Sequence, residues 1–142
     1  MQNLCLRRRK LKETDKKRMI KETIYGQVVA KANHYQAVPG EDGKKRIIKD
    51  AAIRNYETSF VLQCRKYRNM KINRPFRFEC DVYYTNNNHD LDNSIKTVLD
   101  CLQMAGAITN DNLMHELTAR KHISQQPRIT FGIEVLQKSL FD

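Results

Sequence analysis

Between residues 76 and 84 apolar and polar positions alternate without a break. Phe76, Phe78, Cys80, Val82 and Tyr84 fall on one face, and Arg77, Glu79, Asp81 and Tyr83 on the other. A period of two predicts a strand with one buried face. Beyond the polar run Thr85-Asn86-Asn87-Asn88-His89 the period changes. Ile95, Val98, Leu99 and Leu102 recur at i, i+3, i+4 and i+7, which predicts an amphipathic helix with Asp92 at its start as a capping residue and Gly106 as the left-handed residue that ends it. An earlier helix is expected behind a cap at Asp50, where Ile53, Tyr56, Phe60, Cys64 and Tyr67 step by three or four along one core-facing stripe. Residues 22–35 read as a first strand, leaving through Asn33-His34-Tyr35. Pro39-Gly40-Glu41-Asp42-Gly43 is turn chemistry, and a short strand at Ile47-Ile48 completes a hairpin. Two more strands follow residue 111, turning at Pro127. Leu117, Ala119, Lys121 and Ile123 share a face of the first, and Ile129, Phe131, Ile133 and Val135 share a face of the second. The order β, β, α, β, α, β, β predicts an α+β domain, a mixed sheet with two main helices packed on one side.

Composition narrows the class. A chain of 142 residues, 40% hydrophobic and 30% charged with three prolines, has the makeup of one soluble globular domain. No apolar run reaches membrane length, and the basic N-terminus lacks the apolar region of a secretory signal, so a cytoplasmic protein is expected. Cys5, Cys64, Cys80 and Cys101 form no close pair. With His34, His89, His115 and His122 equally scattered, neither a zinc spacing nor a disulfide framework is present. The net charge of +10 is segregated: residues 1–21 carry nine Lys/Arg against two acids and residues 44–77 eleven against two, whereas residues 78–142 carry nine acids against five bases. A basic surface joined to an acidic site favours a polyanionic partner. Residues 1–21 are read as a basic arm and residues 22–142 as the domain. Candidate phosphate contacts are Lys44, Lys45 and Arg46 on the hairpin return, Arg54, Arg65 and Arg68 on the first helix, and Lys71 and Arg74 in the loop after it.

The acidic half holds the candidate chemistry. Asp90 and Asp92 flank the start of the second helix, Lys96 lies one turn beyond Asp92 on the same face, and Asp111 follows after the helix has stopped. An EF-hand is excluded, because its loop counted from Asp90 needs Gly at position six and Glu at position twelve, where this chain has Ile95 and Cys101. Three hard oxygen donors and one cation suit Mg²⁺, with Mn²⁺ as a substitute, and a phosphodiester. His89 beside the motif is a candidate for proton transfer or phosphate contact. Lys121, on an otherwise apolar strand face, is a candidate second cation near the site with the carboxylate cluster as its partner, and a further candidate DNA contact. A helix over residues 92–104 is about 20 Å long, and five extended residues reach only about 17 Å. Asp111 therefore returns to Asp92 by a direct path or belongs to a site completed by another subunit.

The pattern Asp90-x-Asp92-Asn93-x-x-Lys96, then Leu99-Asp100-x-Leu102, Ala105-Gly106 and Asp111, resembles the RusA family of Holliday junction resolvases in residue type and spacing. The likeness extends more loosely from Ile24 to Val135, where the family places a first strand bearing an Asn, here Asn33. Two features differ: Asn110-Asp111 stands where the family often has an acidic pair, and Val28-Val29-Ala30-Lys31-Ala32 replaces a proline-rich opening. The resemblance implies an endodeoxyribonuclease that resolves four-way junctions by paired symmetric cuts, with Asp90, Asp92 and Asp111 holding Mg²⁺ and Lys96 acting in catalysis. Two matched cuts in a two-fold symmetric substrate imply a homodimer, and a bacterial, phage or prophage source fits the family. Two other readings share the residues: a non-catalytic nucleic-acid-binding protein whose aspartates are caps and turns, and a nuclease acting on other branched or flapped substrates.

Overall fold

The alternation of residues 76–84 produces the central strand of the domain. The structure, a computed structural model, describes residues 19–30, 35–39, 45–49 and 51–137. Most of the basic arm, Asn33, the turn after Pro39, Lys44 and the expected cap Asp50 lie outside the described residues. The elements are β1 (Glu22–Tyr25), β2 (Tyr35–Pro39), β3 (Lys45–Lys49), α1 (Ala51–Gln63), β4 (Phe76–Tyr84), α2 (Leu91–Met104), β5 (Met114–Ile123) and β6 (Arg128–Val135). Four strands form one mixed sheet in the order β1-β6-β4-β5, and β2 pairs with β3 as a separate antiparallel hairpin. This is the α+β arrangement expected from the sequence.

The first strand is shorter than its residues predict. It stops at Tyr25, because Gly26 takes φ +108° and its N–H donates to the Pro127 carbonyl at 3.0 Å. Both helices pack on the face that carries Phe76, Phe78, Cys80, Val82 and Tyr84, every one of them fully buried. Helix α1 buries Ile53, Tyr56 and Phe60 and ends at Gln63, short of the predicted stripe. Cys64 and Tyr67 still point inward. The Tyr67 hydroxyl donates to the Ile20 carbonyl at 2.5 Å and accepts from the Ile133 N–H at 3.1 Å. Cys64, Cys80 and Cys101 are buried, and burial pushes the thiols of Cys64 and Cys80 up to about 12.

The connection β4-α2-β5 fixes the ends of the domain. β5 runs parallel to β4, with Met114 opposite Phe76 and Ile123 opposite Tyr84. Parallel neighbours need a crossover, and α2 is that crossover. Its N-terminus therefore lies at the exit of β4 and its C-terminus at the entrance. β5 is an edge strand, which leaves Leu117 and Ile123 exposed although they share the helix-covered face of the sheet.

The opposite face of the sheet neutralises itself. Arg77 and Arg120 donate to Glu79 at 3.0 and 3.2 Å, Arg77 also reaches Glu134 at 3.0 Å, and His122 meets Asp81 at 2.8 Å. Burial works to raise the Glu79 carboxyl, but the hydrogen bonds from Arg77 and Arg120 outweigh it and hold the group below its ordinary value. Tyr83 stands between the stacked His122 ring and the Arg128 guanidinium, 3.8 Å from its centroid.

Candidate active site

The N-terminus of α2 gathers Asp90, Asp92 and Lys96. Asp90, not Asp92, is the N-cap residue, in an extended conformation, and its side chain makes no capping hydrogen bond. Asp92 is the second residue of the helix, and Lys96 follows one turn later. All three side chains are exposed, and among the described residues none is engaged in a hydrogen bond or ion pair. The positive end of the helix favours negative charge there, so two carboxylates are tolerated side by side without being consumed as caps. The expected cap at Asp92 is thus corrected: the N-cap falls two residues earlier, at Asp90, and among the described residues neither aspartate side chain caps the free N–H groups.

The loop that delivers these residues is held from several sides. Lys121 reaches from β5 to donate to the Asn87 carbonyl at 3.2 Å and the His89 carbonyl at 2.5 Å, with its ammonium 5.6 Å from the centre of the Tyr84 ring. Tyr84 stacks on His89, 5.0 Å between centroids and 6° from parallel, and its hydroxyl bonds Ser94 Oγ at 2.6 Å. Ser94 Oγ in turn bonds the Asp90 carbonyl at 3.1 Å. From the other side the Gln27 carbonyl oxygen accepts from the N–H and hydroxyl of Thr85, which turns its amide nitrogen toward His89 Nε2 at 3.1 Å. The amide nitrogen can only donate, so His89 Nε2 is the acceptor of this contact. His89 is packed, half-buried, between these groups.

Asp111 lies elsewhere. It opens a short 3-10 turn, Asp111–Leu113, and its N–H donates to the Gln103 side chain at 3.0 Å, at the C-terminal end of α2. The helix is 14 residues long, so about 20 Å of rise separates Asp111 from Asp92 within one chain. Of the two routes left open by the sequence, the direct return is closed by the parallel pairing of β4 and β5. Consistent with this, no cluster of three or more His, Cys, Asp or Glu able to hold a metal exists among the described residues. What one chain offers is two carboxylates. Mg²⁺ is commonly held by one or two carboxylates with waters and substrate phosphate oxygens, so Asp90 and Asp92 fit such an ion and Asp111 does not join them unaided.

The basic candidates divide. Arg54, Arg65, Lys71 and Arg74 are exposed. Arg65 and Arg68 fall just past the end of α1 rather than on it. Arg68 folds back to donate to the carbonyls of Val61, Leu62 and Cys64 at 2.7 to 3.2 Å, which spends its guanidinium on the helix end. Lys45 and Arg46 belong to β3. Gln27 and Ser94 had no role in what the sequence predicts, and Tyr84 entered only as a buried position of its strand. Only Ser94, four residues after Asp90 on a helical pattern, carried a local signal, whereas Gln27 sits in an irregular segment that nothing in the sequence connects to residue 89.

A small α+β domain with a strongly basic chain and a pair of uncommitted carboxylates beside a lysine is the kind of protein that acts on nucleic acid. The particular kind follows from comparison: residues 25–134 match the family model for Endodeoxyribonuclease RusA, and the chain belongs to that family of endodeoxyribonucleases. A comparison with curated proteins gives no match. No helix among the described residues is long and apolar enough to cross a membrane.

Proposed function

We propose that this protein is a Mg²⁺-dependent endodeoxyribonuclease that resolves four-way DNA junctions as a homodimer, each catalytic site taking Asp90, Asp92 and Lys96 from one copy and Asp111 from the other. The observation that carries the reading is the state of the side chains at the start of α2. An aspartate at an N-cap is ordinarily spent on backbone N–H groups, and here the N-cap Asp90 and the first-turn Asp92 are both exposed and, among the described residues, unspent beside a lysine with no anionic partner. Membership of the RusA family supports the substrate class.

When bound, Mg²⁺ polarises the scissile phosphate and lowers the pKa of a bound water. Asp90 and Asp92 supply the oxygens that hold the ion at the mouth of α2. Lys96, on the same helical face, stabilises negative charge on the phosphate oxygens as it grows in the transition state. The exposed Arg54, Arg65, Lys71 and Arg74 bind the flanking backbone, and positioning with electrostatics suffices for phosphoryl chemistry without a nucleophilic side chain. Asp111 is about a helix length away in its own chain, so a two-fold partner is the source of the third carboxylate. The same two-fold axis matches the symmetry of a junction that needs two opposed cuts.

The isolation of Asp111 also favours a second reading, a binding module whose aspartates have no catalytic role. Cleavage of a labelled synthetic four-way junction against its linear duplex, in Mg²⁺ and in EDTA, separates the two. Paired symmetric cuts that require Mg²⁺ are expected. Tight junction binding with no cut in any divalent metal would overturn the nuclease reading.

A further inference from the structure

Lys121 lies on the helix-covered face of β5, opposite Val82, where a lysine costs energy unless its ammonium is satisfied. Its satisfaction is unusual. Among the described residues the ammonium meets no carboxylate; it donates to the carbonyls of Asn87 and His89, the last of which belongs to the residue immediately before Asp90. The Tyr84 ring lies 5.6 Å away, within cation–π range, and the same ring stacks on His89. Gln27 grips the loop at both ends, through Thr85 and through His89. Ser94 ties the Asp90 carbonyl to the Tyr84 hydroxyl. The loop between β4 and α2 is thereby fastened to three separate parts of the domain, and the residue it presents, Asp90, has no side-chain hydrogen bond or ion pair among the described residues. A loop rich in asparagine would otherwise have little to fix it, since residues 85–88 are exposed.

From this we infer that Lys121, with Gln27, forms a clamp that sets the backbone of residues 86–90, so that Lys121 is a positioning residue for Asp90 rather than a contact to DNA phosphate. The inference rests on the reading of Asp90 as a metal- and phosphate-facing carboxylate. An ammonium suits the task because it has three donors and no acceptor, and can take two carbonyls at once while the half-buried side chain lies on the sheet face. Partners that orient a ligating group act on rate and metal affinity, typically by 10- to 100-fold, roughly the loss expected here.

The test compares the full-length wild type with Lys121→Met, Lys121→Arg and Gln27→Ala. Three readouts are taken: backbone hydrogen exchange over residues 86–90, junction affinity in EDTA at several salt concentrations, and single-turnover cleavage in Mg²⁺. Lys121→Met is expected to speed exchange in the loop about tenfold or more. Its junction affinity and salt slope should stay within about twofold of wild type, while cleavage falls about 10- to 100-fold and half-saturation moves to higher Mg²⁺. Lys121→Arg should recover part of each, and Gln27→Ala should move the same readouts in the same direction. Loop exchange equal to wild type in Lys121→Met overturns the clamp. So does weakened junction binding with a salt slope reduced by about one, which is the signature of a phosphate contact. If Lys121→Met does not fold, Gln27→Ala decides by the same exchange criterion. If the wild type cuts no junction, the nuclease reading fails, and the exchange measurement still decides whether the clamp exists.

Discussion

Asp92 and Lys96 stand one helical turn apart on an exposed face of α2 and still form no ion pair within 4.0 Å. A pair at this spacing is worth only a few tenths of a kcal/mol on an isolated helix, so leaving it unmade costs the fold little and keeps both groups for a ligand. Asp92→Asn is accordingly expected to reduce junction cleavage by about a hundredfold or more, the scale of losing one preorganised charged group. Junction affinity in EDTA should be unchanged or tighter, because a carboxylate beside phosphate is repulsive without its metal. Cleavage by Asp92→Asn at the parental rate would remove the metal role from this residue. The residue types at this end of the helix, and their spacing, could be read directly from the chain. Whether the aspartates were spent as caps could not, because an N-cap bond depends on backbone angles that Asp-x-Asp does not dictate. Lys121 was legible as an anomaly, a cation on an apolar strand face. Its partners were not, since the carbonyls it meets lie more than thirty residues away.

The elements follow the same division. β4 and α2 are strongly periodic and appear where periodicity placed them; Ile95, Val98, Leu99 and Leu102 are all buried. α1 ends earlier than its apolar stripe because the chain goes on burying Cys64 and Tyr67 after the helix has unwound, and Arg68 satisfies the last carbonyls without any Gly or Pro to mark the stop. The C-terminus of α2, by contrast, was legible in Gly106. Its φ is +70°, and a Cβ there would sit 2.9 Å from Asn69 Oδ1. Residues 69–72 run alongside the end of α2, with Asn69, Lys71 and Ile72 donating to the carbonyls of Ala105, Gly106 and Ala107 at 2.8 to 3.1 Å. This strap sets the path into the turn that carries Asp111. Gly106→Ala should therefore lower stability by about 1–3 kcal/mol, read as a reduced urea midpoint at unchanged slope. An unchanged midpoint would mean that the strap yields without cost.

For the molecule as a whole, the decisive feature is the parallel pairing of β4 with β5. It makes α2 a crossover and places its two ends at opposite ends of the sheet, so the carboxylates before and after the helix lie about a helix length apart. Alternation within each strand leaves relative strand direction undetermined, which is why the chain alone left Asp111 with two possible locations. With about 20 Å of helix between Asp92 and Asp111, the proposed three-carboxylate site would draw on two copies. A mixture of variants tests this. Asp92→Asn and Asp111→Asn are each expected to be inactive alone on a four-way junction in Mg²⁺. Unfolded together and refolded, they should regain nicking, because in a mixed dimer with shared sites one site receives both substitutions and the other receives neither. A mixture that stays as inactive as either variant alone would contradict the shared site and return Asp111 to a structural turn.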